Sequence, residues 1–151
     1  IKSVAKTSKP IIMSTGMSSI EEIDNAVKII REFHDNLILL QCTSCYPTDD
    51  EDMNLKVIQT LQKRYNCPVG YSSHEKGVGI TPSCVALGAS VIERHFTLDR
   101  TMKGPDHASS VEPTGMKLVI IRSKRLFTAL GTSEKRVLDS ELDNRKKFRG
   151  Y

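Results

Sequence analysis

Apolar and polar positions fall into blocks along this chain. The blocks follow one rhythm: a short apolar run, a polar loop, then apolar residues at helical spacing. Pro10 to Ser14 predicts a first strand, apolar throughout in the manner of a strand buried on both faces. The turn Thr15-Gly16-Met17 leads to Ser18–Glu22, which offers two overlapping capping boxes. Ile20, Ile23, Val27 and Ile30 then recur on one helical face until about Phe33. Leu37 to Gln41 reads as the second strand. After the loop Cys42–Met53, a helix is expected from Asn54 to Tyr65, with Leu55, Ile58 and Leu61 inward. Pro68 to Tyr71 forms a short third strand. Thr81-Pro82 then reads as N-cap and first residue of a helix running to Leu87. Val91 opens a fourth strand that reaches His95, the longest loop follows, and a last helix spans Thr114 to Gly131.

Four successive β/α units imply a parallel sheet with right-handed crossovers. The pattern by itself suits either an open doubly wound sheet or part of a barrel. No GxGxxG follows any strand, which argues against dinucleotide binding. The 151 residues, 38% hydrophobic, suffice for one domain with a core. There is no run of about eighteen apolar residues to span a membrane, and neither an initiator Met nor a signal-peptide core at Ile1–Val4. The chain therefore reads as a piece of a longer protein. Much of the net charge of +4 sits in the tail Arg145–Arg149, which reads as a solvated linker. Aromatics are 5% and do not interleave with the basic residues, so nucleic acid is not an expected partner. Cys42 and Cys45 have CxxC spacing, but a zinc ribbon needs a second such pair, which the chain lacks. All four cysteines read as reduced thiols of a cytoplasmic protein.

In parallel α/β folds the active site forms at the C-terminal ends of the strands. Here those ends carry Ser14-Thr15-Gly16, Thr43-Ser44 with Tyr46, Ser72-Ser73-His74 and Glu93-Arg94-His95. His74 and His95 fall at the ends of adjacent strands, followed by Asp106 and His107 in the longest loop. Two neutral imidazoles from neighbouring strands make a half-site for an exchangeable divalent ion, with positions open to water and substrate oxygen. His34, near a helix end, reads as a surface residue facing the helix dipole. His107 is read two ways, as a substrate contact or as an organiser of its loop.

Six tracts, in order, resemble the motifs of the sialic acid (N-acetylneuraminate) synthase family: Lys9–Met17, Leu40–Pro47, Gly70–His74, Val85–Ala89, Glu93–Asp99 and Gly104–His107. Ser110–Pro113 fits as well, so the likeness runs from about Lys9 to Leu130. The resemblance implies a partial TIM (β/α)8 barrel, with residues 1–131 supplying its fifth to eighth strands. Residues 132–151 would then be a linker toward a C-terminal antifreeze-like domain. It implies condensation of phosphoenolpyruvate with an N-acetyl sugar, such as N-acetylmannosamine or its 6-phosphate, with release of phosphate. The product would be N-acetylneuraminate, its 9-phosphate, or a relative such as legionaminate or pseudaminate. The family uses a divalent metal, most often Mn²⁺, with Mg²⁺ or Co²⁺ as substitutes. His74 and His95 match its metal ligands, and Asp106 matches a loop carboxylate near the metal and its water. Ser44, Tyr46 and Ser72 match positions lining the substrate pocket. Ser73 and Gln41 depart from residues frequent in the family, and both leave the sugar preference open. The family's first four strands and its domain-swapped homodimer contacts would lie outside these residues, so this piece alone is not expected to catalyse. The other readings carried forward are another metal-dependent enzyme on the same barrel and a non-catalytic half barrel that pairs with a partner chain. A Schiff-base aldolase would need a strand-end Lys, which none of the four ends offers.

Overall fold

The computed structural model describes residues 1–150. A short helix α1 (Lys2–Ala5) precedes β1 (Ile11–Ser14), α2 (Ile20–Arg31), β2 (Leu37–Cys42), α3 (Val57–Tyr65), β3 (Val69–Ser73), β4 (Ile92–Arg94), α4 (Pro113–Leu130) and α5 (Leu142–Arg149). All strand pairs are parallel and their order is β1-β2-β3-β4. That order resolves the choice the pattern leaves open. A doubly wound sheet reverses its strand order at a switch point, whereas here every crossover advances the same way. With right-handed connections, the intervening segments all stack on one face. The molecule is a half barrel.

The core lies between that face and the helices. Leu37 and Leu39 of β2, with Val69 and Tyr71 of β3, meet Ile23, Val27 and Ile30 of α2 and Ile58, Leu61 and Tyr65 of α3. The start of α2 is set by Ser19. Its hydroxyl accepts from Glu22 N–H at 3.3 Å, while its own N–H donates to the Glu22 carboxylate at 2.7 Å. Of the two overlapping capping boxes, the chain uses this one. The predicted start of α3 shifts from Asn54 to Val57, because Asn54 takes a left-handed φ of 47° that cannot begin a right-handed helix.

Two expectations change. Thr81–Leu87 is a 3₁₀ helix capped by Ile80, not an α-helix capped by Thr81. The Thr81 hydroxyl is turned inward and fully buried, donating to the Glu75 carboxylate and accepting from Arg94 Nη1 at 2.8 Å, so it does not face a helix end. The first strand is not buried on both faces, since Ile12 is 56% exposed. β1 is an edge of the sheet, and its inner face has no opposing strand among the described residues. Among those residues, no helix is long and apolar enough to cross a membrane.

Candidate active site

The polar residues at the strand ends meet on the concave face. Side chains alternate along a strand, so Gly70 and Ser72 share the face of their partners Leu40 and Cys42, and Ser72 shares it with Glu93. One further alternation beyond each strand brings His74 and His95 to the same side. Their rings stand edge to face at 89°, with centroids 5.3 Å apart. Tyr46, from the loop after β2, leans over both, at 4.5 Å from the His74 ring and 5.6 Å from that of His95.

His74 is anchored on one side. Its Nδ1 lies 3.0 Å from the Thr43 carbonyl oxygen, and Thr48 N–H donates to the His74 carbonyl at 3.1 Å. In the tautomer that donates to Thr43, Nε2 keeps its lone pair, which is how metal proteins present a histidine ligand. The spacing also fits one ion. With metal–nitrogen bonds of about 2.1 Å, two imidazoles sharing an ion stand with ring centres roughly 5 Å apart. No cluster of three or more His, Cys, Asp or Glu side chains that could hold a metal occurs among the described residues. Two histidine nitrogens are what these residues could offer an ion, and such a pair would leave positions for water and substrate oxygen.

The expected substrate-lining residues are also on this rim, with different duties. Ser44 is half-buried, 3.7 Å from Cys42 Sγ. It packs over Gly16 so closely that a Cβ at position 16 would lie 2.2 Å from its Oγ, so a larger residue there would turn the Ser44 hydroxyl away from its present place. Ser72 is buried and its hydroxyl donates to Glu93 Oε1 at 2.8 Å. Asp106 is exposed. Its carbonyl accepts from Ser110 Oγ at 2.6 Å and from Ser109 N–H at 3.1 Å, which fixes the backbone. With His95 and His107 it lines an open depression of about 330 Å³. His107 organises this loop, its Nδ1 standing 2.7 Å from Thr97 Oγ1. His34 lies past α2, away from the rim, where Nδ1 accepts from Asn36 N–H at 3.2 Å. Cys42 and Cys45 are free thiols, the first half-buried and the second exposed. Glu93 belongs to the site although sequence reasoning did not select it. The usable signal was parity: two residues before His95 on one strand means the same face.

Residues 1–135 match the NeuB family. The chain belongs to the NeuB family. Related proteins bear this out. The human N-acetylneuraminate-9-phosphate synthase is 44% identical over 144 residues, covering 94% of this NeuB chain and 40% of the human one. The N,N'-diacetyllegionaminic acid synthase of Campylobacter jejuni is 41% identical over 147 residues, covering 95% and 44% of the two chains. The crystal structure of the N-acetylneuraminic acid synthetase of Leptospira borgpetersenii superposes with a TM-score of 0.86 at 37% identity. That match covers 99% of this chain and 54% of the other. This NeuB chain therefore spans about half or less of the length of the proteins it matches.

Proposed function

We propose that the protein carrying this chain condenses phosphoenolpyruvate with N-acetylmannosamine or a related N-acetyl sugar, releasing phosphate and forming N-acetylneuraminate or another nonulosonic acid. The observation that carries the reading is the pair His74 and His95, edge to face at 5.3 Å on adjacent strands, in a chain whose relatives are named synthases of such acids. His74 and His95 would hold a divalent ion, Mn²⁺ in the first instance with Mg²⁺ or Co²⁺ as alternatives. When bound, it supplies Lewis acidity toward a substrate carbonyl oxygen. Tyr46 covers the two rings and offers a hydroxyl donor on the open side. Ser44 offers a second hydroxyl at the rim for a carboxylate or phosphate oxygen. Ser72, already donating to Glu93, holds that carboxylate in one orientation, ready to accept a proton or a sugar hydroxyl. Asp106, on a pinned backbone beside His95, orients or deprotonates the water that adds to the substrate. On this reading the protein acts on small molecules in the cytoplasm as a homodimer, and residues 132–151 lead to a further domain.

The test is phosphate release from phosphoenolpyruvate by the full-length protein with Mn²⁺, using N-acetylmannosamine, its 6-phosphate or a diacetylated sugar. Wild type is expected to need both metal and sugar. Loss of a Lewis acid contributing several kcal/mol lowers turnover by about 10²-fold or more in His74→Ala. Release that ignores the sugar, or that survives His74→Ala, rejects the reading.

A further inference from the structure

Behind the two histidines, on the helix-facing side of the same strands, lies a charged pair sealed from water. Glu75 follows His74 directly and Arg94 precedes His95 directly. Their side chains are 1% and 3% exposed, and Arg94 Nη1 stands 3.0 Å from Glu75 Oε1. Two hydroxyls complete the arrangement. Ser73 Oγ and Thr81 Oγ1 both donate to the Glu75 carboxylate, and both accept from Arg94 Nη1, at 2.9 and 2.8 Å. Arg94 Nη2 donates to the Glu75 main-chain carbonyl at 3.0 Å, gripping the peptide between Glu75 and Lys76, one residue beyond His74. A buried ion pair of this kind contributes little net stability over an apolar replacement, because desolvation offsets most of the attraction. Its value lies in the geometry it imposes.

That geometry concerns the two rings. The strand register pairs Ser73 with Arg94, so the guanidinium spans β3 and β4 one residue short of each histidine. The clamp touches neither imidazole, because alternation sends its side chains to the opposite face. What it fixes is the separation of the two backbones from which His74 and His95 project. The loop after β2 adds a second tether to His74, through the Thr43 carbonyl on its Nδ1, while on the other strand Val111 N–H donates to the His95 carbonyl at 2.8 Å. The clamp is what ties these two backbones to each other.

We infer that Glu75 and Arg94 are positioning residues that set the His74–His95 separation for a shared divalent ion. The inference rests on the reading of those histidines as metal ligands. It is tested in the full-length protein by titrating Mn²⁺ and following the free ion by electron paramagnetic resonance, with thermal unfolding recorded on the same samples in chelator. Arg94→Met is expected to raise the Mn²⁺ dissociation constant by about 10- to 100-fold, the range seen when groups behind a metal ligand are removed. Leu61→Ala, which loosens the core without touching the clamp, serves as the control and is expected to bind Mn²⁺ as wild type does. Should Arg94→Met fail to fold with Glu75 left unpaired, the double variant Glu75→Gln with Arg94→Met removes both charges and carries the measurement. A folded clamp variant with wild-type Mn²⁺ affinity overturns the inference. So does an equal loss in Leu61→Ala, which would mean general loosening. Wild-type Mn²⁺ binding that persists in His74→Ala would overturn the metal reading and this inference together.

Discussion

The carboxylate of Asp24 on α2 is held well below its ordinary titration. The Arg64 guanidinium donates to its carboxylate, Nε to Oδ1 at 2.8 Å, and the Tyr65 hydroxyl donates at 2.8 Å. These bonds hold its pKa at about 2 against an ordinary 3.8, with the Arg64 hydrogen bond the largest cause. A depressed acid stabilises the fold where it is ionised in both states. The contribution is therefore complete above 3.8 and is lost as the pH falls toward about 2. Asp24→Asn should melt below wild type at pH 5, and the two should converge as the pH approaches 2; a constant gap across that range would contradict the assignment. Two of the thiols differ in their surroundings. Burial pushes Cys84 up to about 12, while Cys45 is exposed. Because the thiolate is the reactive form, iodoacetamide at pH 8 should label Cys45 and leave Cys84 unmodified until the protein unfolds, as peptide mass mapping would show.

Between elements, stability is concentrated where α2 and α3 cover β2 and β3. Leu61 on α3 is fully buried in that layer. Its truncation to Ala should cost about 2–5 kcal/mol, the usual range for a core leucine, read as a drop in denaturant midpoint with little change in slope. The four strands and the helices α2, α3 and α4 were legible in the sequence because each carries its apolar residues at one clear period. The boundaries that slipped did so for local reasons. Asn54 took a left-handed turn, and Thr81 gave its hydroxyl to Glu75 rather than to a helix end. Of the rim residues the sequence singles out, the rings of His74, His95 and Tyr46 stand together, while Ser44 lies beside Cys42 and Ser72 bonds Glu93. The buried pair of Glu75 and Arg94 was not, because no local pattern distinguishes a charge turned inward from the solvated charges around it. Only the pairing of β3 with β4 brings the two together.

At the scale of the molecule, the concave face is open. Ile12 is 56% exposed on the first edge strand, and Phe127 on α4 is 73% exposed, with Ile120 and Leu130 near half. Two free sheet edges beside exposed apolar surface favour association. The 151-residue chain expressed alone should elute from size exclusion as species larger than a monomer and should bind a hydrophobic dye. A monodisperse monomer that ignores the dye would mean that this surface is covered in solution. The same openness explains why the site residues sit at a rim rather than in an enclosed pocket: the histidines, Tyr46 and Glu93 line one wall.

The alternation of the strands has one more consequence, for how these residues tolerate insertions and deletions. Odd and even positions of β3 and its exit are assigned to different worlds: Ser72 and His74 to the open side, Ser73 and Glu75 to the dry layer under the helices. Substitution can erode either set gradually. Loss or gain of a single codon between Val69 and Ser72 would instead exchange them wholesale, because a one-residue slip turns every later side chain to the other face. An imidazole would then enter the apolar layer and an unpaired carboxylate would face the open side. The length of this segment is thus as much a part of the site as any side chain in it.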